Sequence, residues 1–93
     1  MISTKVTQTK PNGASFHEPS AEQLAHIRSN YIEKGKLTIT ITGSGDSREV
    51  VYNFATQEFR DAFDADPIVI AMRQSSEAYN ASANVQSASI EVV

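Results

Sequence analysis

The chain has 93 residues, a formal net charge of −3, 40% hydrophobic and 20% charged residues, and no cysteine. Lack of cysteine excludes disulfides, thiolate chemistry and cysteine-ligated zinc. The basic residues Lys5, Lys10, Arg28, Lys34, Lys36, Arg48, Arg60 and Arg73 are scattered. Phosphate backbones demand a concentrated positive patch, so no nucleic-acid partner is expected.

The length fits one domain, residues 1–93, able to fold alone but only marginally, and dimerisation is a common remedy. No apolar run approaches the ~20 residues that span a bilayer. Met1 to Lys10 lacks the hydrophobic stretch of a secretory signal. No membrane partner is expected, and the expected location is cytoplasmic.

Ile2 to Thr9 reads as a strand, with Ile2, Thr4, Val6 and Gln8 on one face. Lys10 to Pro19 is a loop with turn chemistry at Pro11-Asn12-Gly13, and Phe16 is its one large apolar anchor. Ser20 to Gln23 fits a capping box. Leu24, Ile27 and Tyr31 then form one helical stripe, and Gly35 stands where a C-cap glycine belongs.

The hairpin from Leu37 to Ala55 follows. Leu37, Ile39 and Ile41 alternate with threonines, and Val50, Tyr52 and Phe54 alternate with Glu49, Val51 and Asn53. Pairing Gly43 with Arg48 leaves a loop Ser44 to Ser47 and sets Ile41 opposite Val50, Ile39 opposite Tyr52 and Leu37 opposite Phe54. A one-residue slip would place Ile41 against Glu49, so the apolar register wins.

Thr56 caps a second helical region that carries Phe59 and Phe63 on one face. Asp66-Pro67 signals a helix restart, aspartate as cap and proline at the first position. The predicted inward stripe is Ile68, Met72, Ser75 and Tyr79, with Ile70 opposite as a possible partner contact. Gln86 to Val93 alternates as a last strand, with Ala88, Ile90 and Val92 facing the helices.

The order β-α-β-β-α-β predicts an α+β, ferredoxin-like fold: a four-stranded antiparallel sheet with two helices on one face and the first and third strands central. The face without helices would carry Lys5, Thr7, Thr38, Thr40, Thr42, Glu49, Val51, Asn53, Ala55, Ser87, Ser89 and Glu91. It has no aromatic residue on which to stack bases, which argues against RNA recognition. Thr38, Thr40, Val51 and Asn53 are its candidate contact residues.

Chemistry-bearing residues are sparse. His17 can serve as acid or base near neutral pH, but no partner stands at a defined spacing. His26 falls outside the apolar stripe and reads as solvated. Asp61, Asp64 and Asp66 do not match a calcium loop, and Asp66 is explained as a cap. No metal or cofactor is expected. Gly43-Ser44-Gly45 joins two strands and is a turn, since a phosphate loop opens onto a helix. Tyr31, Tyr52 and Tyr79 read mainly as core residues; with His17 they are the candidates to frame a small pocket.

The element order, the run Thr9-Lys10-Pro11-Asn12-Gly13, the pattern Phe59-x3-Phe63-x2-Asp66-Pro67 and Tyr79-Asn80 resemble antibiotic biosynthesis monooxygenase-like proteins. The resemblance implies a homodimeric α+β barrel with facing sheets and a cavity beside each sheet. Family members oxidise without a cofactor or degrade haem through polar cavity residues, none of which can be matched by motif here. The chain also looks like short proteins from marine phage and metagenomic sequence, which implies no activity. The sequence therefore favours a small homodimeric, non-enzymatic module. The alternatives are a small-molecule-binding or monooxygenase-like enzyme, and a phage accessory or virion protein acting through protein contacts.

Overall fold

A computed structural model describes residues 2–92. Strands β1 (Ile2–Thr9), β2 (Leu37–Ser44), β3 (Ser47–Phe54) and β4 (Gln86–Val92) combine with helices α1 (Ala21–Ile27), α2 (Gln57–Ala65) and α3 (Pro67–Ala83) in an α+β fold. The sheet is antiparallel, in the order β2-β3-β1-β4. Its centre is β1 and β3, as the element order predicts. Val93, assigned by alternation to the last strand, lies outside the described residues.

Local signals act as their chemistry requires. Ser20 Oγ accepts from the Gln23 N–H at 3.1 Å, and Gln23 Oε1 accepts from the Ser20 N–H at 3.0 Å, completing the capping box. Thr56 Oγ1 accepts from the Phe59 N–H, and Asp66 Oδ1 from the Ile68 N–H at 2.9 Å. The helix expected to run evenly toward Gly35 instead ends in a π-helical turn, Arg28–Ile32, where the Glu33 N–H bonds the Arg28 carbonyl. Such a turn has no residue signature.

The hairpin takes the predicted register, Ile41 opposite Val50 through Leu37 opposite Phe54. Ser44 pairs with Ser47, so the loop is tighter than expected and only Gly45-Asp46 remains unpaired. At Gly43, φ is +133° and a Cβ would lie 2.5 Å from the Ser47 carbonyl oxygen. Only glycine fits there.

The core joins Ile27, Tyr31, Leu37, Phe54, Phe63, Val69 and Met72. Phe63 is its hub: ring centroids lie 5.0 Å from Tyr31, 5.3 Å from Phe54 and 6.0 Å from Tyr52. The inward stripe of α3 keeps Met72 as expected, but Ile68 and Ser75 give way to their neighbours Val69 and Ser76. Val69 and Met72 are buried, and Ser76 is half-buried, while Ile68 and Ser75 are exposed. The Asp66 turn sets how α3 leaves α2, and periodicity alone cannot define that angle.

The larger departure is in β4. Lys5 pairs with Ile90, Ser3 with Val92 and Thr7 with Ala88. Directly paired residues share a face, so Ala88, Ile90 and Val92 lie on the helix-free face, and Ser87, Ser89 and Glu91 face the helices. This reverses the expectation. The cause lies just upstream. Asn84 ends α3 in a left-handed conformation, φ +59°. Val85 is buried, and its N–H bonds the Asn80 carbonyl at 2.9 Å. With Val85 pinned inward, odd-numbered residues follow it and even-numbered ones point away.

Truncating the hub tests this packing. Phe63→Ala should cost about 3–5 kcal/mol in urea denaturation. Ile41→Ala, at a side chain 60% exposed, should cost less than about 1 kcal/mol.

Candidate functional site

The sheet surface facing the helices is most apolar toward β2 and β3. Its β1 and β4 positions are Ile2, Thr4, Val6, Gln8, Ser87, Ser89 and Glu91. Among the described residues, none of β1 or β4 belongs to the hydrophobic core. Helices have little apolar surface to cover there, and a cleft of about 810 Å³ remains between the two layers. The radius of gyration, 13.3 Å, exceeds the roughly 12 Å of an average compact chain of this length. Clefts of this size accommodate drug-sized molecules.

The cleft floor is apolar along Val6, Ile39, Ile41, Val50 and Tyr52 and polar at Thr4, Gln8, Ser87 and Ser89, and its roof carries Leu24, Ile27, Met72, Ser76 and Asn80. His17, Glu18 and Arg48 line it as well. Leu24, expected within the core, is 44% exposed and borders this space.

Polar groups in the cleft differ in how well they are partnered. Arg48 donates from Nε to Gln8 Oε1 at 2.6 Å and from Nη2 to the His17 carbonyl at 3.4 Å. Its guanidinium carbon lies 4.4 Å from the Phe16 ring centroid, so Phe16 anchors the loop by stacking. Arg73 donates to Asp64 at 2.7 Å, and Glu91 pairs at 3.2 Å with Arg60, which lies outside the cleft lining. The Tyr52 hydroxyl makes no hydrogen bond among the described residues. Burial pushes its pKa up, against the opposing charges of Arg73 and Arg48. It therefore stays protonated at neutral pH, able to donate. Asn80 Oδ1 is a buried acceptor without a partner among the described residues.

The sequence-derived pocket residues separate into two places. His17 and Tyr52 line the cleft. Tyr79 stands behind His17, ring centroids 5.6 Å apart, and donates to the Ser15 carbonyl at 2.6 Å. Tyr31 is in the core, away from the cleft wall. Gln8, Arg48 and Asn80 were not anticipated. Gln8 and Arg48 share the inward parity of Val6 and Val50, the one signal that could have found them. Of the open-face candidates, Thr38 pairs with Asn53 and Thr40 with Val51, all on the helix-free face.

A second cluster surrounds Asp66. His26, expected to be solvated, lies with Nε2 2.6 Å from Asp66 Oδ2. Tyr31 donates its hydroxyl to the same oxygen at 2.8 Å. Asn30 Nδ2 donates to the His26 carbonyl at 2.9 Å. Asp66 thus caps α3 and ties it to α1. Burial disfavours its charge, but hydrogen bonds from His26, Tyr31 and the Ile68 N–H outweigh burial and hold the carboxyl below the usual aspartate range. Burial, and then the bond to Asp66, push Tyr31 up to about 12. Asp64 and Asp61 are engaged elsewhere, with Arg73 and Gln57. Among the described residues, no three His, Asp or Glu side chains converge as a metal site.

No protein-family model, curated protein or solved structure matches the chain. Among the described residues, no helix is long and apolar enough to cross a membrane.

The depressed Asp66 pKa makes stability pH-dependent. Its contribution is present above the ordinary value of about 3.9 and is lost as pH falls through the lower folded value. Asp66→Asn should cost about 1–3 kcal/mol at neutral pH. Its denaturation midpoint should then fall less steeply than the native chain's on acidification below about pH 4. Urea titrations across that range check both.

Proposed function

We propose that this protein binds a small, largely apolar molecule in the cleft between its helices and its sheet. The observation that carries the reading is the cleft itself: about 810 Å³, with an apolar track along β2 and β3 and the Asn80 Oδ1 acceptor left without a partner among the described residues. A space that side chains filled would have favoured a purely structural module. The resemblance to antibiotic biosynthesis monooxygenase-like proteins supports the reading to the extent that it implies a cavity beside a ferredoxin-like sheet. It lends no catalytic residue.

Nile red, a neutral dye that brightens and shifts blue in apolar surroundings, tests this. Saturable binding at one dye per chain is expected. Ser76→Trp places an indole in the cleft from a half-buried position on α3, and should weaken the dye at least tenfold with the melting temperature held. Absence of saturable binding, or equal binding by Ser76→Trp, overturns the proposal.

A second reading concerns the other face, where a homodimer is proposed. Ile90 and Val92 are 59% and 47% exposed on edge strand β4, on the same face as Val51. Lys5 and Glu49 pair beside them at 3.1 Å. A second copy covering this stripe would bury apolar surface that one chain leaves in water. Sedimentation at tens of micromolar should show a dimer for the native chain and a monomer for Ile90→Lys. A native monomer sinks this reading.

A further inference from the structure

We infer that the molecule held in this cleft is an amphipathic carboxylic acid, its carboxylate on the Arg48 guanidinium and its apolar body along Val50, Ile41 and Ile39. The inference rests on the cleft being a binding site.

Arg48 is the cation of the cleft built to receive an anion. Gln8 Oε1 and the His17 carbonyl, both neutral, fix the guanidinium, and the Phe16 ring stacks on it. Such a fork is oriented before any ligand arrives, which reduces the ordering cost of a bidentate contact. No carboxylate lies within ion-pair distance of Arg48 among the described residues. The other nearby guanidiniums differ. Arg73 is neutralised by Asp64 and Arg60 by Glu91, while Arg28 is exposed on the helical wall. Glu18 and Glu77, the remaining carboxylates of the wall, are exposed and form no ion pair among the described residues.

Among the described residues Arg48 is the one cleft guanidinium both fixed by hydrogen bonds and free of a carboxylate, and one such fixed cation suits a single negative charge. Gln8 is buried beneath the guanidinium, so the charge stands partly out of water, where an ion pair strengthens. From Arg48 the inward positions of β3 continue through Val50 to Tyr52, flanked by Ile41 and Ile39 of β2. An alkyl or aryl body attached to the carboxylate has an apolar track to follow.

Decanoate and decanamide, held below the micelle concentration of the acid, share a tail and differ in charge. Calorimetry on the native chain should show decanoate binding roughly tenfold tighter or more, the scale of one charge-assisted hydrogen bond. Arg48→Gln should erase that preference by lowering decanoate affinity at least tenfold, with near-UV circular dichroism showing the variant still folded. Equal affinities in the native chain overturn the acid preference while the cleft reading stands. A preference that survives Arg48→Gln overturns the assignment to Arg48. If neither compound binds and Nile red also fails, the cleft reading falls with it.

Discussion

Side-chain parity in β4 governs the distribution of apolar surface in this protein. A strand has two faces, and moving its phase by one residue exchanges them completely. Val85 enters the helical layer and sets that phase. Ser87, Ser89 and Glu91 then face the helices, while Ala88, Ile90 and Val92 face away. The helix side of the sheet is left most apolar toward β2 and β3. The hydrophobic effect draws the helices there, around Phe63, and nothing comparable draws them over β1 and β4. Cleft and exposed stripe are two results of one register.

Asp66 links the helices that form the roof. It lies between α2 and α3 in an extended conformation, φ −69°, ψ 121°. One oxygen caps α3 and the other receives the Tyr31 hydroxyl beside His26. A partly buried carboxylate is costly unless its lone pairs are satisfied. Here three neighbours satisfy them, and the lowered pKa is the electrostatic expression of that fit. Tyr31 has two roles: its ring packs edge-on to Phe63 in the core, and its hydroxyl is bound at the helical junction.

The chemistry of the cleft is uneven in a way that bears on ligand choice. Arg73 and, outside the lining, Arg60 are paired with carboxylates, and Arg48 rests on neutral partners. A guanidinium is weakly hydrated, so stacking it on an aromatic ring with an amide oxygen beneath costs little. The Tyr52 hydroxyl and Asn80 Oδ1 add a donor and an acceptor farther along the cleft. The open face carries threonines and the Lys5–Glu49 pair beside the β4 stripe, so the two faces of the sheet present different chemistry.

Local rules account for most of the elements. Capping at Ser20, Thr56 and Asp66, the Asp66-Pro67 restart and the hairpin register all follow from interactions within a few residues or across one turn, where residue identity sets geometry. Features that depend on docking angle were not readable in this way. The shifted inward stripe of α3, the π-helical turn before Glu33 and the outward phase of β4 each arise where one element meets another. Alternation in Gln86 to Val92 has the same period with either face inward, and only the buried Val85 selects between them. His26 likewise looks solvated on its own helix, because its partner Asp66 is forty residues away. Sequence chemistry specified strands, caps and turns; the cleft and the Arg48 setting within it came from packing, since each needs residues that only the folded chain brings together.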